Sequence, residues 1–137
     1  MRAPLAFAEA AVELVGAPFR LHGRAPATGL DCVGVIVAAL RASGWPCELP
    51  TGYRLRTGEW PQADDWAERN GFEPVAGACR AGDVLLIAPG PAQLHLVVVS
   101  PSATQVVEAH ASLRKVVLGP LPSPLAIRRH WRMRPLS

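Results

Sequence analysis

From Cys32 to Leu40 the chain runs Cys-Val-Gly-Val-Ile-Val-Ala-Ala-Leu, continues as Arg41-Ala42-Ser43 and closes at Gly44. The run is too long for an ordinary strand and ends in a glycine of the helix-terminating kind, which predicts a buried helix. Asp31 stands where a helix N-cap belongs, because its carboxylate can accept from the free N–H groups of the first turn. A helix apolar on nearly every face must be covered by other elements, so the rest of the chain has to supply a core around it. With 137 residues, half of them apolar and 18% charged, the chain has enough material for one domain over 1–137. Its 14 prolines and 12 glycines are scattered, with no repeat period.

The covering elements divide into two groups. Phe7 to Val15 carries an apolar stripe at helical spacing and is stopped by Gly16 and Pro18. A Gly/Pro-rich loop is expected over Arg20 to Gly29, and another over Trp45 to Leu55. Gln62 to Asn70 reads as a short polar helix, with Asp64 and Asp65 near its start and Gly71 at its stop. Beyond it come short apolar runs between turn signals: Val84 to Ile87, Leu94 to Val99, Gln105 to Ala109, Arg114 to Leu118 and Ala126 to Arg134. Helices first and strands after give an α+β fold, with an antiparallel sheet of about five or six strands.

The net charge of +3 is modest, and much of it sits in Arg128, Arg129, Arg132 and Arg134. A basic cluster can meet nucleic acid or anionic lipid. Here Ile127, Trp131 and Met133 alternate with the arginines, as in a half-buried last strand whose cationic face discourages edge pairing. No nucleic-acid partner is expected. No segment approaches the ~20 apolar residues of a spanning helix. Glu9 and Glu13 interrupt the apolar N-terminus, so it is not the uncharged core of a signal peptide. Synthesis in the cytoplasm, or export by a route that reads no such signal, is expected. Cys32, Cys47 and Cys79 are an odd set at wide spacing, neither a disulfide framework nor a zinc site.

Cys32 falls at the start of the buried helix, where unpaired N–H groups and the helix dipole favour a thiolate and can hold an oxyanion. The position also suits a small buried hydrophobe. His95 alters the balance. It lies in Gln93-Leu94-His95-Leu96-Val97-Val98-Val99, at the start of an otherwise apolar strand, where a polar ring needs a partner. His110 follows Val106-Val107-Glu108-Ala109 on the next strand. Neighbouring antiparallel strands can set two histidines side by side, one as base and one fixing its tautomer.

Gly16-Ala17-Pro18-Phe19, Gly29-Leu30-Asp31-Cys32-Val33-Gly34, Ala81-Gly82-Asp83-Val84-Leu85, His95-Leu96-Val97-Val98 and Glu108-Ala109-His110-Ala111 occur in that order. Over nearly the whole chain this resembles the NlpC family of papain-like cell-wall cysteine peptidases, nearest the compact, leaderless branch of phage tails and gene transfer agents. The resemblance implies Cys32 as nucleophile, His95 as base and His110 as the residue that orients it. It implies hydrolysis of a peptidoglycan stem peptide through a thioester, after D-glutamate and before the diamino acid, with no metal and no organic cofactor. It also implies phage-like tail proteins as partners, with action on the cell wall from within a particle. Asp31 would lie beside the cleft as well as cap the helix, and could bind an amine of the stem peptide. Arg20 and Tyr53 are loop residues placed to line that cleft. Asp83 is expected to shape a turn. Trp45, Trp60 and Trp66 fit core or lid packing better than stacking on a ligand, and Cys47 and Cys79 receive no role.

Three departures stand out. Val33 replaces the usual serine after the nucleophile, Phe19 replaces a tyrosine, and His22-Gly23 replaces a Gly-Gly pair. They leave two alternatives beside the peptidase: a structural or wall-binding tail protein of the same fold, and an amidase or acyltransferase with the same triad.

Overall fold

In a computed structural model, which describes residues 3–50, 53–55 and 58–134, the elements follow one another as α1 (Ala3–Glu13), β1 (Arg24–Ala25), β2 (Gly29–Leu30), α2 (Cys32–Ala42), α3 (Ala63–Arg69), β3 (Phe72–Pro74), β4 (Val84–Ile87), β5 (His95–Val99), β6 (Gln105–His110), β7 (Lys115–Pro120) and β8 (Ile127–Met133). Thr51 and Gly52 of the loop expected over 45–55 lie outside the described residues.

The apolar run forms α2 and is buried through all of its first six residues. Asp31 caps it with an extended backbone and a 2.8 Å hydrogen bond accepted from the Gly34 N–H. Gly44 follows the C-cap Ser43 with φ +79°, the left-handed turn that glycine adopts without strain. α1 packs across α2 and buries Phe7, Ala8 and Ala11. It begins earlier than periodicity predicts, since Pro4 in the first turn forfeits no helical hydrogen bond. It ends at Glu13, where the N–H groups of Leu14 and Val15 reach back only three residues and Gly16 turns to bond Val116 on β7.

Six strands make one antiparallel sheet in the order β3-β8-β4-β5-β6-β7, with β1 and β2 as a separate hairpin. Side chains alternate between its faces. Val84, Leu86, Leu96, Val98 and Val107 join the core around α1 and α2, while Leu85, Ile87, Val97, Val99 and Val106 form a second cluster with Cys79 and Ile127. Burial on both faces explains why β4 and β5 read as unbroken apolar runs.

Two expectations change here. β8 is not an edge strand: it lies between β3 and β4, and β3, too short to show in the sequence, takes the edge through Phe72↔Met133, Glu73↔Arg132 and Pro74↔Trp131. A proline suits that edge because it has no N–H to offer a further strand. Nor are the cations of β8 all outward. Arg132 grips the fully buried Asp83 with Nε and Nη2 at 2.8 and 2.9 Å, and His130 Nε2 meets the same carboxylate at 2.6 Å. Trp60 and Trp66 pack with Trp131 in the core at ring-centroid distances of 5.3 to 6.5 Å, and the Trp45 indole donates to the Asn70 carbonyl.

Candidate active site

The Gly23 carbonyl lies so close to α2 that a Cβ at Gly34 would stand 2.1 Å from its oxygen. The first turn of α2 therefore requires glycine at 34, which seats the loop before the helix against its N-terminus. His22 takes a left-handed backbone (φ +61°) and donates its N–H to Asp31 Oδ2 at 2.9 Å. Arg24 Nη1 donates to Asp31 Oδ1 at 2.8 Å, and Arg24 Nη2 donates to the Tyr53 hydroxyl at 3.0 Å. Asp31 is thus a buried carboxylate filled by its own chain: a cap bond, a loop amide and a guanidinium.

One residue on, Cys32 opens onto a cavity of about 400 Å³ shared with Asp31, Phe19, His95, Glu108 and His110. His95 comes from the first position of β5, and Glu108 and His110 come from β6, two residues apart and hence on one face of it. His95 Nε2 meets Glu108 Oε1 at 3.3 Å, with both side chains about one-fifth exposed. Nε2 being used this way, Nδ1 is the ring nitrogen available to the thiol.

Burial works against a charged His95 ring. Hydrogen bonding to Cys32 and to Glu108, together with the negative charge of both, outweighs it and raises the ring to about 9 from its ordinary 6.5. The hydrogen bond from His95 in turn holds Glu108 below the usual carboxylate range, against burial, with the charges of His95 and His110 acting in the same direction. A ring protonated at neutral pH beside a thiol and a carboxylate is the arrangement that stabilises a thiolate and can later release a proton to a leaving group.

No family model matches the chain, and no curated protein sequence matches it. Solved structures do. The peptidoglycan hydrolase RipB from Mycobacterium tuberculosis superposes with a TM-score of 0.63 at 22% identity, over 97% of this chain and 64% of that one. The NlpC/p60 domain of the peptidoglycan hydrolase SagA gives 0.61 at 22%, covering 95% and 98%. The P60 domain of antigen MAP1204 from Mycobacterium avium subspecies paratuberculosis gives 0.62 at 20%, covering 96% and 94%. This is the NlpC/P60 fold. The chain spans slightly under two thirds of the RipB chain and nearly all of the two isolated domains.

Within the NlpC/P60 fold the residues singled out in the sequence are distributed unevenly. Cys32, His95, His110 and Asp31 line one cavity. Arg20 is exposed and does not line it, and Tyr53 approaches only through Arg24. The contact to the His95 ring expected of His110 is made instead by Glu108. A ladder continued from Val98↔Val107 would set His95 opposite His110, but pairing of β5 with β6 extends only over Val98↔Val107 and Val99↔Val106. Beyond it the ring meets Glu108, while His110 Nδ1 accepts the Leu113 N–H at 3.2 Å. Glu108 and Arg24 were both missed in the sequence. An acid inside the apolar run Val106-Val107-Glu108-Ala109 was the available signal for the first. Arg24 had none, since only folding of the loop brings it to Asp31.

Proposed function

We propose that this protein is a cysteine peptidase that cuts peptidoglycan stem peptides, with Cys32 as nucleophile, His95 as base and acid, and Glu108 holding the His95 ring. The observation that carries this reading is the meeting of Cys32, at the N-terminus of α2, with the His95–Glu108 pair in one cavity. Kinship of fold with RipB and SagA, both described as peptidoglycan hydrolases, supports the substrate class.

The Cys32 thiolate attacks the amide carbonyl and forms the carbon–sulfur bond. Gly34 N–H is taken by the Asp31 carboxylate and Val35 N–H by the Asp31 carbonyl, so the amides of Cys32 and Val33 are the helix donors left to face the oxyanion. His95 gives its proton to the amine as the carbon–nitrogen bond breaks, leaving a thioester. The neutral ring then takes a proton from water, whose oxygen attacks the thioester and releases the acid and the thiolate. Glu108 keeps Nε2 occupied, so that Nδ1 faces the sulfur throughout.

The sequence motifs support a γ-D-glutamyl–diamino acid bond as the target, and a place in a phage-like particle that carries the protein from the cytoplasm to the wall. Mass spectrometry of muropeptides after incubation with wild type and with Cys32→Ala is the test. New products ending at D-glutamate, present only with wild type, are expected. Identical digests would remove the peptidase reading and leave a wall-binding or tail-structural role. Cleavage of another amide or ester alone would select the amidase or acyltransferase. Detection of the chain in purified particles would test the tail assignment.

A further inference from the structure

We propose that a second cavity, of about 400 Å³ and separated from the catalytic one by the Ala88–Leu94 loop, binds a carboxylate of the substrate through Arg128 and Arg129. The inference rests on the peptidase reading and extends it to the far end of the bound peptide. Its first support is a break in the sheet. Leu86 pairs with Arg129 and Ile87 with Ile127, so Arg128 is the extra residue of a β-bulge. Successive residues of a regular strand point to opposite faces, and a bulge re-aims one of them. Here both arginines line the same cavity.

The second support is charge. Arg129 Nε donates to Asp64 Oδ2 at 3.1 Å, and the other oxygen of Asp64 accepts from the Trp131 indole at 3.0 Å. Arg128 donates to the Leu125 carbonyl at 2.9 Å and has no carboxylate partner among the described residues. Two guanidiniums facing one already engaged carboxylate leave one positive charge uncompensated beside a concave surface. Arginine's planar fork suits a carboxylate. The wall of this cavity also contains Trp60, whose indole nitrogen is the one buried side-chain polar atom without a partner among the described residues. That nitrogen is shielded within the tryptophan cluster, so Trp60 lends the cavity an apolar wall beside the arginines.

The third support is continuity with the reaction centre. Gln93 borders both cavities, Leu94 lines this one and His95 the catalytic one. The Leu94 N–H bonds the Leu55 carbonyl at 2.7 Å, which fixes this shared wall. A peptide bound at the sulfur that continues past Gln93 enters this second cavity.

Equilibrium binding decides the matter without requiring turnover. Cys32→Ala protein is titrated into a fluorescently labelled stem tetrapeptide with free carboxylates, and into the same peptide with its carboxylates amidated, reading anisotropy. Amidation is expected to weaken binding about tenfold, the scale of one charge-assisted hydrogen bond. Arg128→Gln should weaken the acid form by a similar factor and leave the amide unchanged, since the two changes remove one interaction. Arg128 is exposed, and an unchanged melting temperature checks the fold of the variant. Equal affinity for acid and amide, an equal effect of Arg128→Gln on both, or no binding of the acid form would overturn the proposal. So would displacement by inorganic phosphate without any effect of amidation, which would assign the arginines to a phosphate. Digestion by the wild type reports on Cys32 separately, so failure of the peptidase reading and failure of this subsite give different results.

Discussion

The sheet holds two pairs of histidine and carboxylate, and their surroundings set them to opposite tasks. His130 and Asp83 lie 2.6 Å apart with the carboxylate fully buried, and Arg132 and the Arg80 N–H take its remaining acceptor positions. Burial opposes ionisation of Asp83, but these donors outweigh it and lower its pKa. Every charge there is answered, and the result ties β8 to the turn that opens β4. His95 and Glu108 lie farther apart, at 3.3 Å, on the wall of a cavity, with no arginine bonded to the carboxylate among the described residues. In the proposed mechanism, that leaves the His95 proton available to the leaving amine. A second cation such as Arg132 at this site would satisfy Glu108 and weaken its hold on the ring.

Removing the central group of each site should separate chemistry from stability. Cys32→Ala is expected to lower the hydrolysis rate by at least about 10⁴-fold, as loss of a nucleophile does, with an unchanged melting temperature. Asp83→Asn should show the reverse. Breaking a buried, fully paired ion cluster costs about 3 to 5 kcal/mol, read in urea unfolding. The alkylation rate of Cys32 by iodoacetamide in the folded fraction should stay at the wild-type value. A variant that kept its stability and lost its reactivity would erase the distinction between the two pairs.

The pH response sharpens the same contrast. Asp83 titrates lower in the folded state, so its contribution is complete above the unfolded value near 3.9 and is lost as pH falls through the folded one. The stability gap between wild type and Asp83→Asn should therefore close in acid. His95 titrates higher, so its proton, and with it the capacity to expel the amine, is lost as pH rises through about 9. Glu108→Gln removes one of the groups that raise the ring. It should reduce kcat roughly 10²-fold and move the alkaline limb of the kcat/KM profile to lower pH. The smallest effect is expected from His110→Ala, which should change kcat by no more than about threefold, well inside the range of a single lost hydrogen bond, and leave the alkaline limb in place. A shift of that limb in His110→Ala, absent in Glu108→Gln, would return the orienting role to His110.

How much was legible beforehand followed the range of the forces involved. The helix over Cys32–Ala42 was readable because its cap, apolar run and terminating glycine are local. So were β4, β5 and the alternation of Trp131 and Met133 in β8. β3 was not, since three residues carry no pattern and owe their strand state to pairing with β8. Arg128 gave no sign of a bulge, because a bulge exists only relative to the partner strand.

Sequence by itself determined that an α+β sheet protein would present a cysteine at a helix start and histidines on following strands. These features arise from periodicity and capping, which act over a few residues. Tertiary structure decided which group holds His95, since Glu108 and His110 share a face of β6 and only the early end of the β5–β6 ladder brings the ring to the carboxylate. It also decided that Asp31 is filled by Arg24 rather than left open, because that contact depends on where a loop comes to rest against the helix.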